Sequence, residues 1–218
     1  ERFHKRRVNL LRRYPVRPDQ FVRASRFLGP ARREDIRMLD IPQTPQLPQS
    51  IHDRPQTFIR PNGEKAPLPF SASEYETRLS RLRHLMAEAD IPAVLLTSMH
   101  NVAYFSGFLY CSFGRAFGCV VTQDACTTIS ANIDGGQPWR RSIHNNVIYT
   151  DWQRGNFWRA VAELTQNCKR LGIEADHLTL AHRDALSDAL DTPSLFDIAP
   201  GIMAERMVKS TEEIALLR

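Results

Sequence analysis

"SASEYETRLSRLRHLMAEADIPAVLLT", residues 71–97, changes its periodicity part-way along and so decides the fold class. Ser71 and Glu74 have the spacing of a capping box, in which the hydroxyl takes an early helical N–H and the carboxylate reaches back. Tyr75, Leu79, Leu82, Leu85, Met86 and Ala89 then recur at helical spacing, with Arg78, Arg81 and Arg83 elsewhere around the helix. Ile91-Pro92 ends it, because the residue before a proline is driven out of the helical region. "AVLLT" (93–97) follows as a short buried strand. An amphipathic helix handed straight to a buried strand predicts an α/β domain.

The stretches further along keep alternating. "FGCVVTQDACTTISA" (117–131) reads as two strands around Gln123-Asp124-Ala125, a tight antiparallel hairpin, and "VIYT" (147–150) as another strand. Asn156 opens an amphipathic helix whose stripe is Phe157, Val161, Leu164, Cys168 and Leu171. "GIE" (172–174) predicts a strand, "LAHRDALSDAL" a helix and "LFDI" (195–198) a strand. The expected architecture is a mixed β-sheet flanked by helices over residues 70–205. "KSTEEIALLR" carries a second capping box, Ser210 to Glu213, and residues 206–218 read as the start of a linker helix to a missing catalytic domain.

Before residue 70 the composition differs. Ten of the 14 prolines lie there, so residues 38–69 are expected to be an extended Pro-rich arm. Residues 1–37 hold twelve Lys and Arg against four acids, a net charge of +8, while the remainder carries −3. The overall +5 therefore belongs to an Arg-rich tail, either upstream of the true start at Met38 or binding an anionic surface. The body's charge gives no support to nucleic-acid binding. No apolar run reaches the roughly 18 residues of a membrane span. Cys111, Cys119, Cys126 and Cys168 form no CxxC pair, and the chain is not cysteine-dense, which favours a reduced cytoplasmic protein.

No catalytic constellation stands out. The seven histidines (4, 52, 84, 100, 144, 177, 182) show no HExxH or other paired metal-ligand spacing. "DGGQ" (134–137) lacks both phosphate-binding glycine patterns and reads as a turn, and Trp139, Trp152 and Trp158 read as core or interface anchors. "QPWRRS" (137–142) is either a solvated helix face or a contact to a second domain or subunit. In "FLYCSFGRAF" (108–117), Phe113 and Arg115 stand two apart across Gly114, so an extended backbone points both the same way. They are either a core aromatic beside a surface arginine or an apolar plate and a guanidinium fork offered to one small ligand.

A resemblance weighs on that choice. "PFSASEYETRLSRLRHLMAEADIPAVLLTSMHNVAYFSGFLYCSFGR" (69–115), "ISANIDGGQPWRRS" (129–142) and "VIYTDWQRGNFW" (147–158) are similar to the N-terminal domain of the creatinases. The helix-and-strand outline is shared by the wider creatinase, prolidase and aminopeptidase P superfamily, whereas "YCSFGR" and "ISANIDGGQPWRR" resemble the creatinases more narrowly. The likeness runs from Ile59 to Arg218, "MVKSTEEI" included. It implies a ribonuclease H-like α/β fold without its C-terminal pita-bread domain. It further implies a homodimer whose active sites are shared between subunits, creatine as small-molecule substrate, and no metal or cofactor. Phe113 and Arg115 then match the residues that one subunit lends to its neighbour's site, as substrate contacts and not as acid, base or nucleophile. Alone, this chain is expected to be inactive. The alternatives are the N-terminal domain of an Xaa-Pro metallopeptidase and a non-catalytic interaction domain.

Overall fold

The structure, a computed structural model, describes residues 55–110, 114–152, 155–191 and 193–218. The Arg-rich tail, most of the Pro-rich arm and Phe113 lie outside the described residues.

Helix α1 spans Ala72–Glu88, with the Ser71 hydroxyl accepting from Glu74 N at 3.1 Å. The other half of the expected box is built differently. Glu74 turns to Arg78 Nε at 2.8 Å, and the Ser71 N–H donates instead to Glu212 Oε2 at 2.9 Å. Arg78 is 2% exposed, and a buried guanidinium demands its counter-charge more strongly than a helix end demands a cap. Glu212 belongs to the last helix, α7 (Thr211–Leu217), which carries the second capping box complete between Ser210 and Glu213. The Ser71 bonds hold the Glu212 carboxyl below its usual range.

Strand β2 (Ala93–Leu96) is buried along its whole length. Ala93 and Leu95 face one layer of the core, Val94 and Leu96 the other, as the period of two requires. Helix α2 (Met99–Ser106) follows, capped by Ser98 and closed by Gly107 at φ 79. The hairpin is β3 (Gly118–Thr122) and β4 (Cys126–Ala131). Then come α3 (Gln137–Arg141), β5 (Asn145–Tyr149), α4 (Asn156–Leu164) and β6 (Arg170–Ile173). Helix α5 (Leu180–Ala189), β7 (Ser194–Asp197) and α6 (Ala199–Met207) complete the body. Helix α4 is shorter than its sequence stripe: Gln166 and Asn167 take φ of 52 and 53, so Leu171 lies in β6 instead.

With the two-residue strand β1 (Thr57–Phe58), the described residues form one seven-stranded sheet in the order β1-β5-β4-β3-β2-β6-β7. The pairings make β2, β4, β5, β6 and β7 run one way, with β1 and β3 opposed. This is the expected mixed sheet. Helices α1, α2 and α6 pack on one face through Leu79, Leu82, Met86, Val102, Phe105 and Ile202. Helices α4 and α5 cover the other through Phe157, Trp158, Val161 and Leu186. Each fully buried side chain of this size stabilises the fold by about 1.5–3 kcal/mol.

Residues 55–70 belong to this body. Thr57 and Phe58 pair with Tyr149 and Ile148, and Lys65 Nζ donates to the carbonyls of Trp139 (2.6 Å), Ser142 (2.9 Å) and His144 (2.6 Å). The ammonium also sits 4.2 Å from the centre of the Trp139 ring, and Arg140 Nε donates to Glu64 O. The "QPWRRS" helix thus holds the chain's own preceding segment. Among the described residues no helix is long and apolar enough to cross a membrane.

Candidate functional site

Five strands end on one edge of the sheet, and the carboxyl edge of such a sheet is where α/β folds gather ligands. On the α4–α5 face, that edge carries a cleft of about 350 Å³. An adjoining recess of about 270 Å³ shares Gly114, Arg115, Ala116, Trp158 and His182 with it. The dimensions and the mostly apolar lining of the cleft, beside a more polar recess, suit a small molecule.

Arg115 enters from the segment between α2 and β3. Gly114 precedes it at φ 83, and a Cβ there would meet no atom within 4 Å. Glycine therefore serves the left-handed backbone and not a tight space. Arg115 Nε lies 3.3 Å from Asp151 Oδ2, the guanidinium side chain being 42% exposed and the carboxylate 14%. Next in the chain, the Ala116 carbonyl accepts from Tyr149 Oη at 2.8 Å. Burial, with the Asp151 charge adding to it, pushes the Tyr149 phenol up to about 12. It stays a neutral donor.

The apolar wall begins with Tyr149 edge-on to Phe157 at 5.7 Å between ring centres. Phe157 meets Trp158 at 4.9 Å, and Trp158 meets the His182 imidazole at 5.4 Å. At the end of β2, Thr97 Oγ1 stands 2.9 Å from His177 Nδ1. Below this pair lies Glu174, 1% exposed. Its carboxylate accepts from Thr97 N (2.5 Å), Ser98 N (2.8 Å), Ser98 Oγ (2.5 Å) and Asn101 Nδ2 (2.5 Å). Four donors offset the burial of this charge and fix the turn that leads β2 into α2.

Chemically, the cleft offers a guanidinium, two imidazoles and an indole wall around a space the size of a small molecule. Such a set has the chemistry to hold and orient a small anion or zwitterion. Of the two residues the sequence singled out, Arg115 lines the cleft, and Phe113 lies outside the described residues. Sequence spacing does not point to Asp151, Tyr149, Thr97, His177, His182 or the role of Trp158 as parts of a site. The positions of Asp151 and His177, two and four residues past strand ends, were the available signal.

A sequence model described as the Creatinase/Prolidase N-terminal domain matches residues 78–208. The creatinase of Bacillus sp. strain B-0618 is 48% identical over 175 residues, which cover 78% of this chain and 43% of that protein. The uncharacterized peptidase YqhT of Bacillus subtilis strain 168 is 26% identical over 142 residues, 64% of this chain and 38% of its own. The chain thus spans less than half the length of these relatives. Among solved structures, the dipeptidase PepE from Mycobacterium ulcerans superposes with a TM-score of 0.56 at 19% identity. That match covers 67% of this chain and 40% of the dipeptidase. A proline dipeptidase from Streptococcus pneumoniae TIGR4 superposes at 0.55 and 18% identity, covering 60% of this chain and 98% of that one. At such identities the structural likeness speaks to the fold.

Proposed function

Because the chain belongs to the Creatinase/Prolidase N-terminal domain family, we propose that it is the dimerisation and substrate-contact domain of a creatinase-type hydrolase. The whole enzyme converts creatine and water to sarcosine and urea. The observation that carries this reading over an Xaa-Pro peptidase is the 48% identity to a creatinase, against 26% to a peptidase relative. The cleft agrees with it. Creatine joins a carboxylate through one methylene to a planar guanidinium whose linking nitrogen carries a methyl group. Arg115 takes the carboxylate through a charge-assisted contact, and Phe113 covers the apolar or planar part. Both are substrate contacts and neither is assigned the role of acid, base or nucleophile. The residues that activate water for attack on the amidine carbon and protonate the departing sarcosine nitrogen belong to the part of the enzyme that this chain does not span.

In the homodimer each N-terminal domain lends Arg115 to its neighbour's catalytic domain. The first test assays the full-length protein on creatine and on Xaa-Pro dipeptides, with this 218-residue chain alone as control. Urea from the full-length protein, and none from the chain alone, is the expected result. Dipeptide cleavage without urea overturns the reading. Arg115→Ala should lower kcat/KM for creatine about 10- to 150-fold, the range of a lost charged hydrogen bond. Mixing Arg115→Ala subunits with subunits disabled in the catalytic domain tests the sharing. If the site is shared, both lesions fall in one site of the heterodimer, the other site is intact, and activity returns. A poor mixture, with heterodimers shown to form, refutes a site built across subunits.

A further inference from the structure

An arginine on a connecting segment has many rotamers to lose when it grips a ligand, so whatever holds its guanidinium beforehand improves binding. Two side chains at the carboxyl end of β5 reach the Arg115 segment. Tyr149 Oη donates to the Ala116 carbonyl at 2.8 Å, and Asp151 Oδ2 lies 3.3 Å from Arg115 Nε. The partners are unequal. Asp151 is 14% exposed against 42% for Arg115, and it follows a strand paired on both sides, to β4 and to β1. Tyr149 is 3% exposed and braced edge-on by Phe157. The carboxylate is therefore the fixed member and the guanidinium the one being held.

We propose that Asp151, seconded by Tyr149, is the positioning residue that orients the Arg115 guanidinium for a ligand carboxylate. This rests on the reading of Arg115 as the grip on the substrate carboxylate. An ion pair at Nε, 3.3 Å long, biases the guanidinium toward one orientation. The same carboxylate opposes an incoming anion by its charge, so orientation and charge act in opposite directions. Asp151→Asn separates them, because it keeps an acceptor oxygen in place and removes the charge. Asp151→Ala removes both.

The test has two arms. In the full-length enzyme, Asp151→Ala should raise KM for creatine about three- to ten-fold, in the range of coupling between contacting residues, with kcat little changed. Asp151→Asn should stay within about two-fold of the parent. In an Arg115→Ala background, Asp151→Ala should have no further effect. In the 218-residue chain, the Arg115 Nε–H resonance should be protected from water exchange in the parent and in Asp151→Asn, and lost in Asp151→Ala. The inference falls if Asp151→Ala leaves that resonance protected, or if the KM effects of Asp151→Ala and Arg115→Ala simply add. A resonance that responds to Asp151 while Arg115→Ala leaves creatine use untouched supports the positioning and sinks the substrate reading alone.

Discussion

Replacing Arg78 by methionine should cost this domain about 3 kcal/mol, because it strands two carboxylates. The guanidinium is 2% exposed and bonds to Glu74 at 2.8 Å, to Glu213 at 3.2 Å and to the Tyr104 carbonyl at 3.0 Å. It also lies 4.2 Å from the ring centres of both Phe70 and Tyr104. Methionine preserves the length of the stem, so the cavity term is small, and the loss is electrostatic. Removing one partner of a buried pair costs about 3–5 kcal/mol. The lower end applies because Glu74 and Glu213 retain 11% and 13% exposure. Glu213 also keeps its bond from Ser210 N at 2.9 Å. For a domain of this size, 1 kcal/mol moves Tm by about 2–4 °C, so the midpoint should fall by about 6–12 °C. Calorimetry and urea titration both read it. Adding Glu213→Gln removes one stranded charge and should recover about 1 kcal/mol. A loss below about 1 kcal/mol in Arg78→Met, or no recovery in the double variant, refutes the account of Arg78 as the ionic hub of α1, α2 and α7.

Glu174→Gln turns one acceptor oxygen into a donor facing backbone and side-chain N–H groups, and should lower stability by about 2–4 kcal/mol in urea titration; a change below about 0.5 kcal/mol would refute the four-donor account. The Tyr149 phenol, at about 12 against an ordinary value of 10.0, binds its proton more tightly folded than unfolded. Its stabilisation is therefore complete below the unfolded value and is lost as pH rises from 10.0 to about 12. Thermal midpoints across that window should fall less steeply in Tyr149→Phe than in the parent, and identical slopes refute the assignment.

Much of the sheet could be read from the chain because its elements have strong periods of their own. Helix α1, the hairpin, β5 and α5 each bury residues that the local pattern declares, and "LFDI" places β7, a largely exposed strand held by its pairing with β6. The elements that escaped are those whose cause is tertiary. Strand β1 is two residues long and exists through its pairing with β5. Helix α2 has eight residues, with Val102, Tyr104 and Phe105 among them weak helix formers, and is held between a Ser98 cap and Gly107 over the Glu174 carboxylate. Helix α6 starts through Pro200 and Gly201, which punctuate a sequence like a turn. Proline is tolerated there because the first helical N–H groups have no partner to lose. It is the burial of Ile202, 1% exposed, that anchors the helix.

The site divides along the same line. Arg115 was reachable from sequence because Gly114 marks its segment, and "SFGR" carries a resemblance. Asp151 was not, because a lone acid after a strand acquires meaning when the sheet brings it to an arginine 36 residues earlier in the chain. His177 and His182, weighed for metal spacing, turn out to line the cleft, one against a threonine hydroxyl and the other against an indole. The two faces of the sheet also divide the work. The α1–α2–α6 face fastens α7 through Arg78–Glu213 and Ser71–Glu212, while the α4–α5 face walls the cleft. One polar chain joins them: Arg206 of α6 donates to Asn101 Oδ1, Asn101 donates to Glu174, and Glu174 holds the backbone of Thr97 beside His177. The route from α6 to the cleft floor is three hydrogen bonds long, two of them at one buried carboxylate. Glu174→Gln, which breaks that junction and leaves Arg115 and Asp151 untouched, is the variant in which α6 and the cleft should come uncoupled while the Arg115 Nε–H stays protected.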